Sequence, residues 1–266
     1  MSILEFLTGD RSKIYEIPTF LKGDVLKRRD QKIPYNIFQT FKTHNVSFKL
    51  YRNAKSWFKK NKEYDYYFFS DEDMINYIHN NTFEDFDFEK KHFLNAFNKI
   101  KPGAGKADLF RYLIIYDKGG IYFDIDTFCK VPLRSYIKLS DEVLTGLGGR
   151  SDFHQWGLIY TKHHPFMKKA LEVAVNNIIN EHFINNKKTM AYLCGPPCLD
   201  YAIKQVLGLS LNHKFREGNY TQDNISYRIF KKDFFNNNVK IRYKDYQDDI
   251  EQLGSTHWSK LDIFNY

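Results

Sequence analysis

The sequence has no long hydrophobic run. No stretch approaches the roughly 20 consecutive apolar residues that a helix needs to cross a bilayer. The opening residues, MSILEFLTGDRSK, contain a short apolar patch, but neither a basic leading region nor a small-residue cleavage site. We therefore expect no secretory signal and no membrane anchor.

Cysteine is also scarce, with three residues in a chain of 266. A disulfide scaffold is not expected, and a reducing compartment fits this usage better. Cys194 and Cys198 have a C-x3-C spacing, but no second Cys/His pair at zinc-finger spacing accompanies them. Buried small apolar side chains are therefore a better interpretation than a structural zinc.

Motifs for nucleic-acid recognition are missing, although the net charge is +8. No helix-turn-helix, RNA-recognition signature or zinc finger is present, so we expect no nucleic-acid partner. The basic surface is either solvated or attracts a polyanion, such as a nucleotide diphosphate or an anionic membrane at which the protein is peripheral. The oligomeric state stays open.

Apolar and aromatic residues are abundant, at 42% and 17%, and can form a sizeable core. Strand-like and helix-like segments alternate, and this order predicts an α/β domain with a partly parallel sheet. We expect an N-terminal extension over residues 1–32 and a single domain over 33–266. The strands are predicted in IPYNIFQTF, YDYYFFS, IYFDIDTF, EVLTGLG and WGLIYT, and the helices in SFKLYRNAKSWFKKN, SDEDMINYIHNN, FEKKHFLNAFNKI, KADLFRYLIIYDK and HPFMKKALEVAVNNIINEHF.

Two acids stand one residue apart in IYFDIDTF, at Asp124 and Asp126. Within a strand this spacing places both carboxylates on one face. The apolar flanks predict a buried strand, where two like charges repel each other unless a cation neutralises them. Carboxylate oxygens favour Mg²⁺ or Mn²⁺. The spacing alone is equally compatible with two polar residues on the wet face of an ordinary strand.

The segment ADLFRYLIIYDKGGIYFDID resembles the signature of glycosyltransferase family 32, the DXD-containing sugar transferases that include yeast outer-chain mannosyltransferases and capsular polysaccharide transferases. IPYNIFQTFK, SWFKKNKEYDYYFFSDED, GPPCL and STHWS resemble further family segments in the same order, from about residue 33 to about residue 260. The resemblance implies a GT-A fold, with a Rossmann-like, mixed but mostly parallel sheet flanked by helices. It also implies Mn²⁺ or Mg²⁺ as cofactor and a UDP-sugar or GDP-sugar as donor.

The family implies roles for four residues near the D-x-D segment. Asp126 would ligate the metal directly, while Asp124 would contact it through water or bind hydroxyls of the ribose and sugar. Asp108 and Arg111 lie three residues apart on one helix. Asp108 would accept hydrogen bonds from hydroxyls of the donor sugar, and Arg111 would contact the sugar or the diphosphate. A surface ion pair is the alternative for this helix pair.

Other implied donor contacts lie elsewhere in the chain. Ile37, Gln39 and Thr40, at the end of the first strand, would lie near the nucleotide base. Tyr122 would line the nucleotide pocket, although an aromatic residue in a strand is more often part of the core. Gln155 stands close to where the family usually has an asparagine that contacts the donor.

The C-terminal segment STHWS is the last part of the resemblance. His257 would complete the metal or diphosphate site, and Ser255 is a weaker ligand candidate. Trp258 would close over the donor, so the segment would act as a lid that excludes water.

These features together predict a metal-dependent, retaining hexosyltransferase that transfers a sugar to a hydroxyl of a glycan, lipid or protein acceptor. Retention of the anomeric configuration of the sugar is implied by the resemblance alone. The alternatives are a D-x-D metal-dependent phosphohydrolase or a non-catalytic basic binding module. Since no Golgi-type anchor is recognised, we expect a cytoplasmic enzyme of bacterial or viral type, with peripheral membrane contact left open.

Overall fold

A computed structural model describes residues 13–148, 153–231, 237–241, 246–254, 256 and 258–265, with the side chains of residues 252 and 258 excluded. Its α-helices are α1 (Phe48–Lys60), α2 (Asp71–Asn80), α3 (Lys90–Lys99), α4 (Gly103–Lys118), α5 (Pro165–Ile179), α6 (Ala191–Cys194), α7 (Pro196–Val206) and α8 (Tyr246–Gln252). Short 3-10 helices span Val25–Lys27, Leu133–Ser135, Ile184–Asn186 and Trp258–Lys260. None of the described helices is long and apolar enough to span a membrane.

The described strands form one large sheet and two small ones. They are β1 (Tyr15–Glu16), β2 (Phe20–Leu21), β3 (Asn36–Thr40), β4 (Asn45–Val46), β5 (Asp65–Phe69), β6 (Gly120–Phe123), β7 (Thr127–Cys129), β8 (Val143–Gly146), β9 (Gly157–Tyr160), β10 (Gly218–Gln222), β11 (Ile225–Phe230) and β12 (Val239–Ile241). The large sheet has the order β10-β11-β8-β9-β6-β3-β5-β2, while β1 pairs with β4 and β7 with β12.

The predicted α/β fold is confirmed, with a sheet that is more antiparallel than the sequence suggests. Among the described strands of the large sheet, the pairs β11–β8, β6–β3 and β3–β5 are parallel and the other four pairs are antiparallel. The strand β2 pairs with β5 at the sheet edge, so described residues of the predicted extension join the sheet. The division into residues 1–32 and 33–266 stays a prediction.

Local sequence signals explain where α1 and α2 begin. The hydroxyl of Ser47 accepts a hydrogen bond from the backbone N–H of Leu50 at the start of α1. Ser70 and Asp73 form a capping box at the start of α2. Both helices therefore begin where a side chain satisfies backbone N–H groups that would otherwise lack partners.

Helix α4 is the central helix, and its second half is buried on all sides. Every residue from Leu109 to Tyr116 is buried. The helix ends at Gly119, which has φ = 60°. A Cβ atom there would clash with the backbone nitrogen of Lys162, so only glycine fits at this turn between α4 and β6.

The core consists of two apolar clusters that are separated by the large sheet. Phe38 and Tyr122 point into one cluster, which contains α4 and α5. Their neighbours Ile37 and Phe123 point into the other, as the alternation of side chains along a strand requires. In that second cluster the Trp57 ring of α1 stacks on Phe123, with ring centroids 4.1 Å apart. The end of β6 is thereby packed from both sides.

Candidate active site

A cavity of about 460 Å³ lies at one edge of the large sheet, where the parallel strands β3, β5 and β6 end. Thr40 is the last residue of β3, Asp71 follows the end of β5, and Asp124 follows β6. All three residues line the cavity. The carboxyl ends of parallel strands are the usual location of ligand sites in open α/β sheets. The topology of the sheet therefore brings residues from distant parts of the sequence into one site.

The D-x-D segment forms a turn and not a continuous strand. β6 ends at Phe123, and the backbone N–H of Thr127 donates a 3.0 Å hydrogen bond to the carbonyl oxygen of Asp124. The prediction that strand spacing sets the directions of the two acids is thus wrong. Asp124 and Asp126 nevertheless line the same cavity, with Asp126 only 7% exposed. A tight turn at a strand end brings the acids to one cavity wall.

Arg111 connects the helix pair to the D-x-D turn. Its guanidinium lies 2.8 Å from the carboxylate of Asp124 and 3.4 Å from that of Asp108. It also lies over the ring of Tyr122 and donates a 3.1 Å hydrogen bond to the backbone carbonyl of Gln155. The pair is therefore buried and is not a surface ion pair. Burial alone would lower the pKa of Arg111, but Asp124, Tyr122 and Asp108 raise it, so the side chain stays cationic.

Asp108 lies behind Arg111 and is not one of the cavity-lining residues. Its carboxylate is buried and lies near the thiol of Cys194, at 3.6 Å. Burial raises the pKa of Asp108 to about 7, while Arg111 opposes this change. A direct contact between Asp108 and a sugar hydroxyl stays a prediction.

The raised pKa of Asp108 predicts a pH dependence of stability. The folded state retains this proton up to about pH 7, whereas the unfolded carboxyl releases it near 3.8. Because the folded state binds more protons in that window, the free energy of unfolding should fall as pH rises from about 4 to about 7. The upper limit is roughly 1.4 kcal/mol per pH unit. Urea unfolding of wild type and Asp108→Asn without divalent cations should differ in this slope, and equal slopes would contradict the assignment.

The residues predicted to contact the nucleotide do not all reach the cavity. Thr40 and Tyr122 line it and share a hydrogen bond of 2.9 Å between their hydroxyl groups. Ile37 and Gln39 are fully buried, and neither belongs to the cavity wall. Gln155 is also buried, and its amide donates to the Tyr112 hydroxyl and to a backbone carbonyl. Ile37, Gln39 and Gln155 therefore belong to the protein interior around the site.

The C-terminal part of the chain borders the cavity. Tyr246, Ile250 and Gly254 line it, and the ammonium group of Lys42 donates a 2.8 Å hydrogen bond to the carbonyl of Gly254. His257 and Ser255 lie outside the described residues, and so does the side chain of Trp258. Their predicted roles as ligands and lid stay predictions.

Several cavity residues were not recognised from the sequence. Lys42 and Asp71 follow the ends of neighbouring strands, so the rule that ligands bind at strand ends could have identified them. Asp71 is instead interpretable as a helix-start acid, which hides its position in the wall. Lys106 lies one turn before Arg111 on α4 and carries no sequence signal of its own.

The acids of the D-x-D turn fit a divalent cation. Both offer hard carboxylate oxygens to one cavity, as Mn²⁺ and Mg²⁺ prefer. Among the described residues, no group of three or more His, Cys, Asp or Glu side chains is arranged to hold a metal. Two protein carboxylates are sufficient where substrate phosphates and water supply the other ligands, as they usually do for Mg²⁺.

Comparison with known proteins agrees with this site. Residues 47–144 match the family model described as "Glycosyltransferase sugar-binding region containing DXD motif". This matched segment includes α4 and the D-x-D turn. The chain also resembles the PaToxG glycosyltransferase structure, with a TM-score of 0.50 and 20% identity over 67% of this chain and 70% of that one. At this identity the structural similarity concerns the fold, and it is consistent with the predicted GT-A class.

Curated relatives come from yeasts. Inositol phosphoceramide mannosyltransferase 3 of Schizosaccharomyces pombe is 26% identical over 192 residues, which cover 72% of this chain and 50% of the relative. The initiation-specific alpha-1,6-mannosyltransferase of Candida albicans is 26% identical over 175 residues, or 56% of this chain and 44% of the relative. The chain thus spans about half the length of the curated relatives it matches.

These relatives correct one prediction and confirm another. The expected cytoplasmic enzyme of bacterial or viral type is wrong, because the chain resembles mannosyltransferases of eukaryotes. The resemblance that ADLFRYLIIYDKGGIYFDID suggests is confirmed by the family model and by the relatives together. Residues 47–144 are therefore similar to the sugar-binding region of the DXD-containing glycosyltransferases.

Proposed function

We propose that this protein is a metal-dependent, retaining glycosyltransferase that transfers a hexose from a nucleotide-diphosphate sugar to a hydroxyl group. The observation that carries the proposal is the cavity at the sheet edge, where Asp124, Asp126 and Arg111 come together within the matched sugar-binding region. The names of the yeast relatives favour mannose as the sugar, with GDP-mannose as the first donor to test. They also favour a glycan or an inositol phosphoceramide as acceptor.

The residues of the cavity suit the departure of a nucleoside diphosphate. A divalent cation held by Asp126, with Asp124 beside it, would neutralise negative charge on the leaving diphosphate. Arg111 remains cationic in its buried position and adds a fixed positive charge next to Asp124. Preorganised charges of this kind are most effective in a site that excludes water.

Lysines and the C-terminal segment complete the environment of the donor. Lys42 and Lys106 line the cavity, so both can reach a bound diphosphate. The bond between Lys42 and Gly254 holds the C-terminal segment against the cavity. That segment restricts access of water, which would otherwise hydrolyse the donor in place of transfer.

A ligand panel tests the proposal. We expect nucleotide sugars to raise the apparent thermal stability of the protein only when Mn²⁺ or Mg²⁺ is present, because a ligand that binds the folded state alone stabilises it. The donor with the largest shift should also be hydrolysed slowly without an acceptor, with retained anomeric configuration by NMR. Phosphate release from simple phosphoesters without sugar-nucleotide binding would favour the phosphohydrolase. Salt-sensitive polyanion binding alone would favour the basic binding module.

A further inference from the structure

The carbonyl groups of the D-x-D turn receive hydrogen bonds from buried amide side chains. The Nε2 group of Gln39 donates to the carbonyl oxygens of Phe123 and Asp124, each at 3.2 Å. Asn53 on α1 donates to the next carbonyl, that of Ile125, at 3.3 Å. Three consecutive carbonyls are thus held from the side of the protein interior.

The orientation of the Gln39 amide follows from its partners. The hydroxyl of Tyr66 donates a 3.0 Å hydrogen bond to Oε1 of Gln39. The carbonyls of Phe123 and Asp124 can only accept, so the NH₂ group must face the turn. Gln39 and Tyr66 are both fully buried, and Gln39 is not one of the residues that line the cavity. Instead, Gln39 in β3 connects Tyr66 in β5 to the turn that follows β6.

We propose that Gln39, oriented by Tyr66, is a positioning residue for the metal site. It fixes the backbone of the D-x-D turn, so that the carboxylates of Asp124 and Asp126 already face the cation position. This inference rests on the metal site of the proposed function. Two neighbouring carboxylates repel each other, so a turn without these backbone donors would relax until the acids separate. Groups behind metal ligands typically change metal affinity by about 10-fold to 100-fold when they are removed.

The test compares Mn²⁺ affinity with folding. Gln39→Met conserves the volume of the side chain but removes both donors to the turn. We expect its Kd for Mn²⁺, measured by electron paramagnetic resonance of free Mn²⁺, to rise about 10-fold to 100-fold. Transfer activity should recover largely at saturating Mn²⁺, because no group that touches substrate has changed. Tyr66→Phe retains the donors of Gln39 and should raise the Kd only severalfold.

A matched control separates positioning from a purely structural role. Asn177 is another buried amide, and it donates to the carbonyl of Leu193, away from the cavity. Asn177→Leu should lose stability in urea without a change in the Kd for Mn²⁺.

Two outcomes would count against these assignments. If folded Gln39→Met binds Mn²⁺ as tightly as wild type while Asp126→Asn loses affinity, the inference about Gln39 is wrong and the metal site stands. Wild-type affinity in Asp126→Asn as well would refute the metal site itself. If Gln39→Met does not fold, the Tyr66→Phe variant provides the test, and an unchanged Kd for Mn²⁺ in that variant overturns the inference.

Discussion

The Asp126→Asn variant should bind Mn²⁺ at least about 100-fold more weakly than wild type. Its rate of sugar transfer should fall by about 10²-fold to 10³-fold, which is the usual effect of removing one group that stabilises developing charge. Asparagine retains the shape of the side chain and one oxygen but removes the negative charge that attracts the cation. The effect on folding should be small, because the wild-type carboxylate carries a desolvation cost in its buried position. Isothermal titration with Mn²⁺ and a radiolabelled transfer assay measure the two effects.

The turn makes a further distinction between its two acids. Asp124 already has a cationic neighbour, since Arg111 lies 2.8 Å from its carboxylate. Asp124→Asn should therefore lose less Mn²⁺ affinity than Asp126→Asn, while its donor affinity falls. The reverse order would contradict the assignment of Asp126 as the direct ligand.

Asp141→Asn is the matched control for Asp126→Asn. Asp141 has the same exposure as Asp126, 7%, but it pairs with Arg228 and does not line the cavity. Removal of this charge leaves Arg228 without its acid and should lower the free energy of unfolding. Mn²⁺ affinity and transfer per folded molecule should not change. A loss of Mn²⁺ affinity in this variant would show that any buried acid produces the effect.

The sequence predicts the parts of the fold that depend on local patterns. The capping box at Ser70, the glycine stop at Gly119 and the strands β3, β5 and β6 follow from caps, helix breakers and alternating residues. It does not predict the hairpin formed by β10 and β11, because β10 is polar and has no buried residue, although β11 alternates and buries Tyr227 and Ile229. It also overestimates parallel pairing, because strand direction depends on contacts between residues that are distant in sequence.

The sequence predicts which acids belong to the candidate site, but it does not predict how they are arranged. Asp124, Asp126 and Arg111 were identified through the resemblance, and all three line one cavity. Gln39 was identified for a different role, because a polar residue at a strand end can face either the ligand or the backbone of the next strand. Burial and hydrogen-bond partners distinguish these two cases, and neither can be read from a single sequence. Lys42 lines the cavity because the fold brings the strand ends together, and this could not be recognised from its local sequence.

Arg111→Met should lower the free energy of unfolding by about 3–5 kcal/mol at pH 8, the usual cost of removing one partner from a buried ion pair. The arginine is the cation between Asp108 and Asp124, so its loss leaves Asp124 without its cationic neighbour. Asp108 must then either repel Asp124 or take up a proton, because Arg111 no longer holds its pKa down. Lower pH should restore part of the stability, because Asp108 then accepts a proton. Mn²⁺ should stabilise the variant more than wild type, since a cation beside Asp124 replaces the lost charge. Urea unfolding at pH 6 and pH 8, with and without Mn²⁺, measures these differences.

The double variant Asp108→Asn/Arg111→Met separates the structural role of Arg111 from its catalytic role. Neutralising Asp108 removes most of the repulsion, so the double variant should be more stable than Arg111→Met, and the effects of the two substitutions should not add. Transfer should nevertheless stay low, because the metal is already present in the wild-type site and no second cation takes the place of the guanidinium next to the donor. Recovery of both stability and transfer would mean that Arg111 serves only to neutralise the buried acids. Wild-type stability of Arg111→Met at pH 8 would contradict a stabilising role of Arg111 between the two acids.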